Sequence, residues 1–169
     1  MRNNLQGTIQ LGRSGILNIK IRKMDLSDIP FVYNEEIKIF GKSLGEKTLY
    51  NEIIYNDMSR YFIALVDGKR AGYVGSWLTI PNAEILNLFV SEQYRGNGIA
   101  RMLTNSVIDI CKEHNIEALT LEVRYNNEMA IKLYEGLGFV KKAIRKNYYS
   151  NGDNAILMML EFGGIVWLF

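Results

Sequence analysis

"LNLFVSEQYRGNGIARMLTNSVIDICKEH", residues Leu86 to His114, decides the fold. An apolar run ends at Val90, a loop carries Gly96 and Gly98, and an amphipathic pattern begins at once. Ile99, Met102, Leu103, Val107, Ile110 and Cys111 recur at three- and four-residue spacing, which predicts the buried stripe of a helix starting near Gly96 to Gly98. The first N–H groups of such a helix have no partner within it and lie at the positive end of its macrodipole. Glycines let a ligand approach that backbone closely. The stretch therefore reads either as a phosphate cradle between a strand and a helix or as a plain glycine-containing turn. Two nucleotide motifs are excluded. The third glycine of a dinucleotide fingerprint would fall at Arg101, and the Gly-Lys-Ser/Thr of a P-loop is absent.

Outward from that stretch, "ILNIKIRKM" alternates apolar and polar residues and predicts a first strand. Asp25 or Ser27 can cap a helix running to about Ile39, and a second helix covers Glu46 to Asn56. "YFIALVDGKRAGYVGSWLTI" predicts two strands joined at Asp67-Gly68. "AEILNLFV" and "ALTLEVR" are strands, "EMAIKLYEGLG" a short helix, and "FVKKAIRKNYY" and "NAILMMLEF" two last strands with Asn151-Gly152 in the turn between them. The order is β-α-α-β-β-β-α-β-α-β-β. Antiparallel hairpins flanking a βαβ unit predict a mixed sheet in an α/β (α+β) domain.

Composition narrows the function classes. At 169 residues the chain fits one domain with a full core, and 48% apolar with 22% charged residues is ordinary for a globular protein. A net charge of +2 argues against nucleic acid as the main partner. One cysteine, Cys111, excludes an intrachain disulfide, and one histidine, His114, argues against a protein-only metal site. No apolar run reaches the roughly 18 residues of a membrane span, and "MRNNLQGTIQLGRSG" lacks the apolar core of a signal peptide. The expectation is a cytoplasmic domain over 17–162. A flexible arm, 1–16, precedes it. An apolar tail, 163–169, follows and covers a groove or joins a homodimer contact.

"QYRGNGIA" resembles the acyl-CoA pyrophosphate loop of the GNAT N-acetyltransferases, whose pattern is Gln/Arg-x-x-Gly-x-Gly/Ala. Gln93, Gly96 and Gly98 satisfy it, and so do Arg95, Gly98 and Ala100. "LEVRYNNEMAIKLYEGLGF" resembles the family's second cofactor motif, in the right order and at the right distance. The resemblance runs from about Leu17 to Glu161. With "IRKNYY" after the second motif, the chain is most similar to the RimI-type enzymes, which acetylate the N-terminal amine of a ribosomal protein, typically at alanine.

The resemblance implies a six- to seven-stranded, mostly antiparallel sheet in which "ILNLFV" and "LTLEVR" run parallel and splay at one end. It implies acetyl-CoA as cosubstrate and no metal. The backbone of Leu88, Phe89 and Val90 would pair with the pantetheine arm. Arg95, Gly96, Asn97, Gly98, Ile99 and Ala100 would hold the pyrophosphate. Asn127 would bind the coenzyme, although Asn127 or Asn126 can equally cap the short helix.

The chemistry needs an amine deprotonated, a thioester carbonyl polarised and a departing thiolate protonated. Glu122 interrupts an apolar strand and faces opposite Leu121 and Val123. It reads as a solvated strand carboxylate on its own, and as the general base on the resemblance. Tyr134 shares a helix face with Ala130, Leu133 and Leu137. It reads as a core tyrosine on its own, and as the general acid on the resemblance. Tyr148 and Tyr149 border the implied peptide groove, or are two exposed strand aromatics. Lys141, Lys142, Arg145 and Lys146 read as a solvated strand face, Cys111 as core, and His114 as a complement to its helix dipole.

Overall fold

The structure, a computed structural model, describes residues 6–12 and 15–163. The sequence-predicted tail from residue 164 onward lies outside the described residues. The twelve main elements are β1 (Gln6–Gly12), β2 (Gly15–Lys23), α1 (Ile29–Phe40), α2 (Glu46–Ile54), β3 (Ser59–Val66), β4 (Lys69–Thr79), β5 (Asn82–Val90), α3 (Ile99–Glu113), β6 (Ala118–Arg124), α4 (Glu128–Glu135), β7 (Val140–Arg145) and β8 (Ala155–Glu161).

Local chemistry sets several of these boundaries. Asp25 accepts from the Ser27 N–H at 2.8 Å while the Asp28 carboxylate accepts from the Asp25 N–H at 2.9 Å, a capping box that opens a 3-10 turn before α1. Gly41 ends α1 in the left-handed conformation. Asp67 (φ 48°) and Gly68 (φ 79°) make the tight turn between β3 and β4.

Hydrogen-bonded neighbours in the sheet follow the order β1-β2-β3-β4-β5-β6-β8-β7. β5 and β6 are parallel, from Asn82↔Ala118 to Ile85↔Leu121, whereas β1–β2, β2–β3, β6–β8 and β7–β8 are antiparallel. The pairing of β5 with β6 stops at Ile85, although β5 runs on to Val90.

The expected mixed, mostly antiparallel sheet with its parallel pair is present, and residues 6–12, inside the segment expected to be a flexible arm, add an edge strand to it, paired with β2 from Gln6↔Ile21 to Gly12↔Gly15. One expectation is corrected. The strand expected to reach Tyr149 ends at Arg145, and nine residues of loop separate β7 from β8. Asn151 and Gly152 sit inside that loop, where the Gly152 N–H donates to the Tyr149 carbonyl at 2.8 Å.

The chain divides into two compact units, Met1–Ser76 with Asn87–Val107, and Trp77–Leu86 with Ile108–Phe169. The first has a core of Ile19, Ile21, Val32, Leu49, Ile63 and Leu103, with Tyr73 and Phe89 rings 5.0 Å apart. The second buries Ile85, Cys111, Leu119, Leu121, Val123, Phe139 and Met158.

Candidate active site

In the first unit, β5 leads into α3 through a 3-10 turn at Glu92–Tyr94. Gly96 (φ 76°) and Gly98 (φ 73°) both take left-handed backbone, which glycine adopts without a Cβ penalty. A Cβ built on Gly98 would meet nothing within 4 Å, so the backbone there faces open space. Side chains brace the loop from within. Arg95 Nε donates to the Val90 carbonyl at 2.9 Å, and Asn97 Nδ2 to the Tyr94 carbonyl at 3.0 Å. α3 begins at Ile99, with Ile99 and Leu103 buried, so the N–H groups of its first turn follow directly on the glycines. The phenyl of Phe89 packs against Tyr73, and Val90 is buried. Neither side chain is offered to a ligand.

The second unit gathers Glu122, Tyr134, Tyr148 and Tyr149. Leu121 and Val123 turn into the core, which puts Glu122 on the other face of β6 with its side chain 12% exposed. Arg145 Nε lies 3.2 Å from Glu122 Oε1. Glu84 stands on the same face, since it pairs with Thr120, two residues before Glu122. Burial, the charge of Glu122 and a hydrogen bond with it push the Glu84 carboxyl above its ordinary range, against the pull of Arg145. Burial and the nearby Glu122 also raise the Tyr148 hydroxyl.

Tyr134 is 7% exposed and packs edge-on against Phe139 at 5.6 Å. Burial, with Tyr149 beside it, pushes its hydroxyl up to about 12. Tyr148 and Tyr149 stack edge to face at 5.1 Å, and the Arg124 guanidinium sits 4.0 Å above the Tyr149 ring. Arg124 is in turn held by Asp153 at 2.6 Å. Both tyrosines belong to the β7–β8 loop, not to a strand as expected.

Asn127, not Asn126, caps α4, accepting from the Ala130 N–H at 3.2 Å. Cys111 is fully buried and burial raises its thiol to about 12, so it serves the core. Arg145, expected as part of a solvated face, is ion-paired with the candidate base. Glu84 and Arg145 are members of the cluster that sequence reasoning missed. Glu84 had a signal: it alternates with Ala83 and Ile85 in an apolar strand, as Glu122 does in its own.

Residues 29–139 match the acetyltransferase (GNAT) family, and the chain belongs to it. It is an acetyltransferase. It is 37% identical over 139 residues, 82% of its length and 92% of the relative's, to a candidate ribosomal protein bS18-alanine N-acetyltransferase of Bacillus subtilis. It is also similar to the crystal structure of the ribosomal-protein-S18-alanine N-acetyltransferase from Escherichia coli. That match has a TM-score of 0.78 and 30% identity, over 89% of this chain and 99% of that one. The fold is shared with Arabidopsis thaliana NAA60 in complex with acetyl-CoA, with a TM-score of 0.79 and 20% identity over 86% and 99% of the two chains.

Proposed function

We propose that this acetyltransferase moves an acetyl group from acetyl-CoA to the N-terminal α-amine of a protein in the cytoplasm, with an alanine-starting ribosomal protein as acceptor. The observation that carries the reading is the arrangement in the second unit. The carboxylate of Glu122, whose side chain is mostly buried, lies next to Tyr148 of the loop, while the buried hydroxyl of Tyr134 lies beside Tyr149. In this reading Glu122 is the base, Tyr134 the proton donor, and the two neighbouring aromatic side chains are suited to a peptide.

In this reading the backbone of Leu88 and Val90 holds the pantetheine arm, whereas that of Phe89, expected to share in it, turns toward β4. The N–H groups from Gly96 to Ala100 hold the pyrophosphate, that of Arg95 being donated to the Glu92 carbonyl at 3.2 Å, and Asn127 contributes its amide nitrogen while its oxygen caps α4. The donor supplies an activated acyl carbon with sulfur as leaving group. Glu122 accepts a proton from the amine, directly or through one water, as the N–C bond forms. An α-amine has a pKa near 8, against roughly 10.4 for lysine, so a useful neutral fraction is present before catalysis. Tyr134 gives its proton to the sulfur as the C–S bond breaks. With its hydroxyl at about 12, Tyr134 keeps its proton at every working pH. Transfer to a free thiolate, whose conjugate acid titrates near 8.5, is uphill. The proton therefore moves while sulfur is still leaving the tetrahedral intermediate, or the hydroxyl acts by a hydrogen bond alone.

Incubation with acetyl-CoA and short peptides, read by thiol release, tests the proposal. Turnover with Ala-starting peptides, abolished by blocking their N-terminus, supports it. Turnover only with polyamines or lysine side chains makes the chain a small-amine or lysine acetyltransferase, and coenzyme binding without turnover makes it an acyl-CoA-binding module.

A further inference from the structure

Glu36 of α1 is fully buried, and four donors surround its carboxyl group. Tyr73 Oη (3.0 Å) and Asn87 Nδ2 (2.8 Å) donate to one oxygen, and Ser43 Oγ (2.6 Å) and the Leu44 N–H (3.1 Å) to the other. Burial and the adjacent Glu36 raise the Tyr73 hydroxyl well above its usual value, which keeps it a donor. A group that offers only acceptors settles the orientation of the Asn87 amide: the nitrogen faces Glu36, and the oxygen faces away. That oxygen accepts from the Leu88 N–H at 3.1 Å.

The direction of β5 gives this contact its meaning. The Ser91 N–H donates to the Ala71 carbonyl of β4 at 2.8 Å, and a Cβ on Gly72 would stand 2.7 Å from the Phe89 carbonyl oxygen. Phe89 and Ser91 therefore turn their backbone groups toward β4. By the alternation of a strand, Leu88 and Val90 turn theirs to the opposite edge. On that edge the strand pairing has already ended at Ile85. Two side chains take its place, Asn87 on the Leu88 N–H and Arg95 on the Val90 carbonyl. The Leu88 carbonyl and the Val90 N–H point the same way.

We propose that Asn87 is a positioning residue for the acyl arm of the donor: Glu36 fixes its amide, and the amide fixes the Leu88 peptide plane, so that the edge of β5 meets the arm in one register. The proposal rests on the acetyl-CoA reading above. Removing the amide frees the Leu88 peptide to rotate, and the cost falls on the arm rather than on the nucleotide, whose cradle lies beyond Val90.

Calorimetry with two ligands separates these effects: acetyl-CoA, and 3′-phosphoadenosine 5′-diphosphate, the nucleotide half without the arm. Asn87→Ala is expected to weaken acetyl-CoA by about 3- to 10-fold, the worth of one hydrogen bond, and to leave the nucleotide unchanged. Asn87→Ser, too short to span from Glu36 to the Leu88 N–H, carries the same expectation and covers a failure of the alanine variant to fold. Ser43→Ala removes one donor from the other oxygen of Glu36, away from Asn87. It is expected to lower Tm while leaving the affinity ratio of the two ligands as in the wild type. Equal loss for both ligands in a folded Asn87 variant, or no loss for either, overturns the positioning role. A wild-type protein that binds neither ligand overturns the acetyl-CoA reading itself, and the proposal with it.

Discussion

Arg145 Nε and Glu122 Oε1 meet at 3.2 Å because of a bulge one turn of pleat away. β7 pairs Lys141 with Met158 of β8 and then Ala143 with Leu157, so Lys142 is the extra residue. Leu157 pairs in turn with Glu122. Without the bulge, every residue after Lys141 would exchange faces, and Arg145 would point to the side of Val123. The bulge is what brings a cation to the one carboxylate of β6.

Glu122→Gln keeps the size and the hydrogen bonding of the side chain and loses the base. Turnover is expected to fall by roughly 10²–10⁴-fold while acetyl-CoA affinity stays within error. Arg145 is 51% exposed, and its pair with Glu122 is worth little in stability, so Arg145→Gln is expected to cost less than about tenfold in turnover. Steady-state kinetics on both variants is the check. A Glu122→Gln enzyme with nearly full turnover at neutral pH makes Glu122 a strand carboxylate only.

Glu84 supplies a test by pH. Its carboxyl is raised by burial and by Glu122, so the folded state binds that proton more tightly than the unfolded chain does. Stability from this group is greatest below its unfolded value and declines as pH rises through the folded one. Glu84→Gln removes the decline. Its Tm is expected to exceed that of the wild type at pH 7, with the difference narrowing toward about pH 4, below the ordinary glutamate value of roughly 4.3. Thermal melts at the two pH values decide. The same difference at both would show that the fold does not raise the Glu84 carboxyl.

The cradle is tested at Gly98. Alanine there meets no atom within 4 Å but must hold φ at +73°, at a cost of about 1–2 kcal/mol. Gly68→Ala carries the same kind of strain (φ +79°) in the β3–β4 turn, and open space likewise surrounds it. Both variants are expected to lose a few degrees in Tm, and only Gly98→Ala to lose coenzyme affinity, by more than about tenfold. Calorimetry that finds equal affinities for the two removes the cradle claim.

The helix stripe of α3, the glycine turn before it and the parallel βαβ unit were legible because each rests on patterns local in the chain. Glu122 was legible for the same reason, as a carboxylate alternating with Leu121 and Val123. Arg145 was not, because a bulge leaves no mark in "FVKKAIRKNYY" and its parity decides which face the arginine takes. Tyr148 and Tyr149 read as strand residues because aromatic side chains favour strands, whereas the fold ends β7 at Arg145 and gives them to a loop. The pairing of residues 6–12 depends on an edge that β2 offers only once the sheet exists. The Glu36–Asn87 contact joins residues far apart in sequence and shows no pattern at either end.

Tyr134 gives the sharpest test of mechanism. Tyr134→Phe removes one oxygen and keeps the ring that packs on Phe139, so fold and coenzyme affinity are expected to survive. The loss belongs in kcat, because the hydroxyl acts on charge that develops during reaction. An acyl donor with a more acidic thiol should recover part of the rate, since its sulfur leaves without full protonation. The hydroxyl stands at about 12, so the activity of the wild type should show no alkaline limb from Tyr134 below that value. Wild-type kcat in the phenylalanine variant ends the general-acid role. A slow variant that the acidic thiol does not rescue leaves Tyr134 a positioning group, with water or another residue delivering the proton to sulfur.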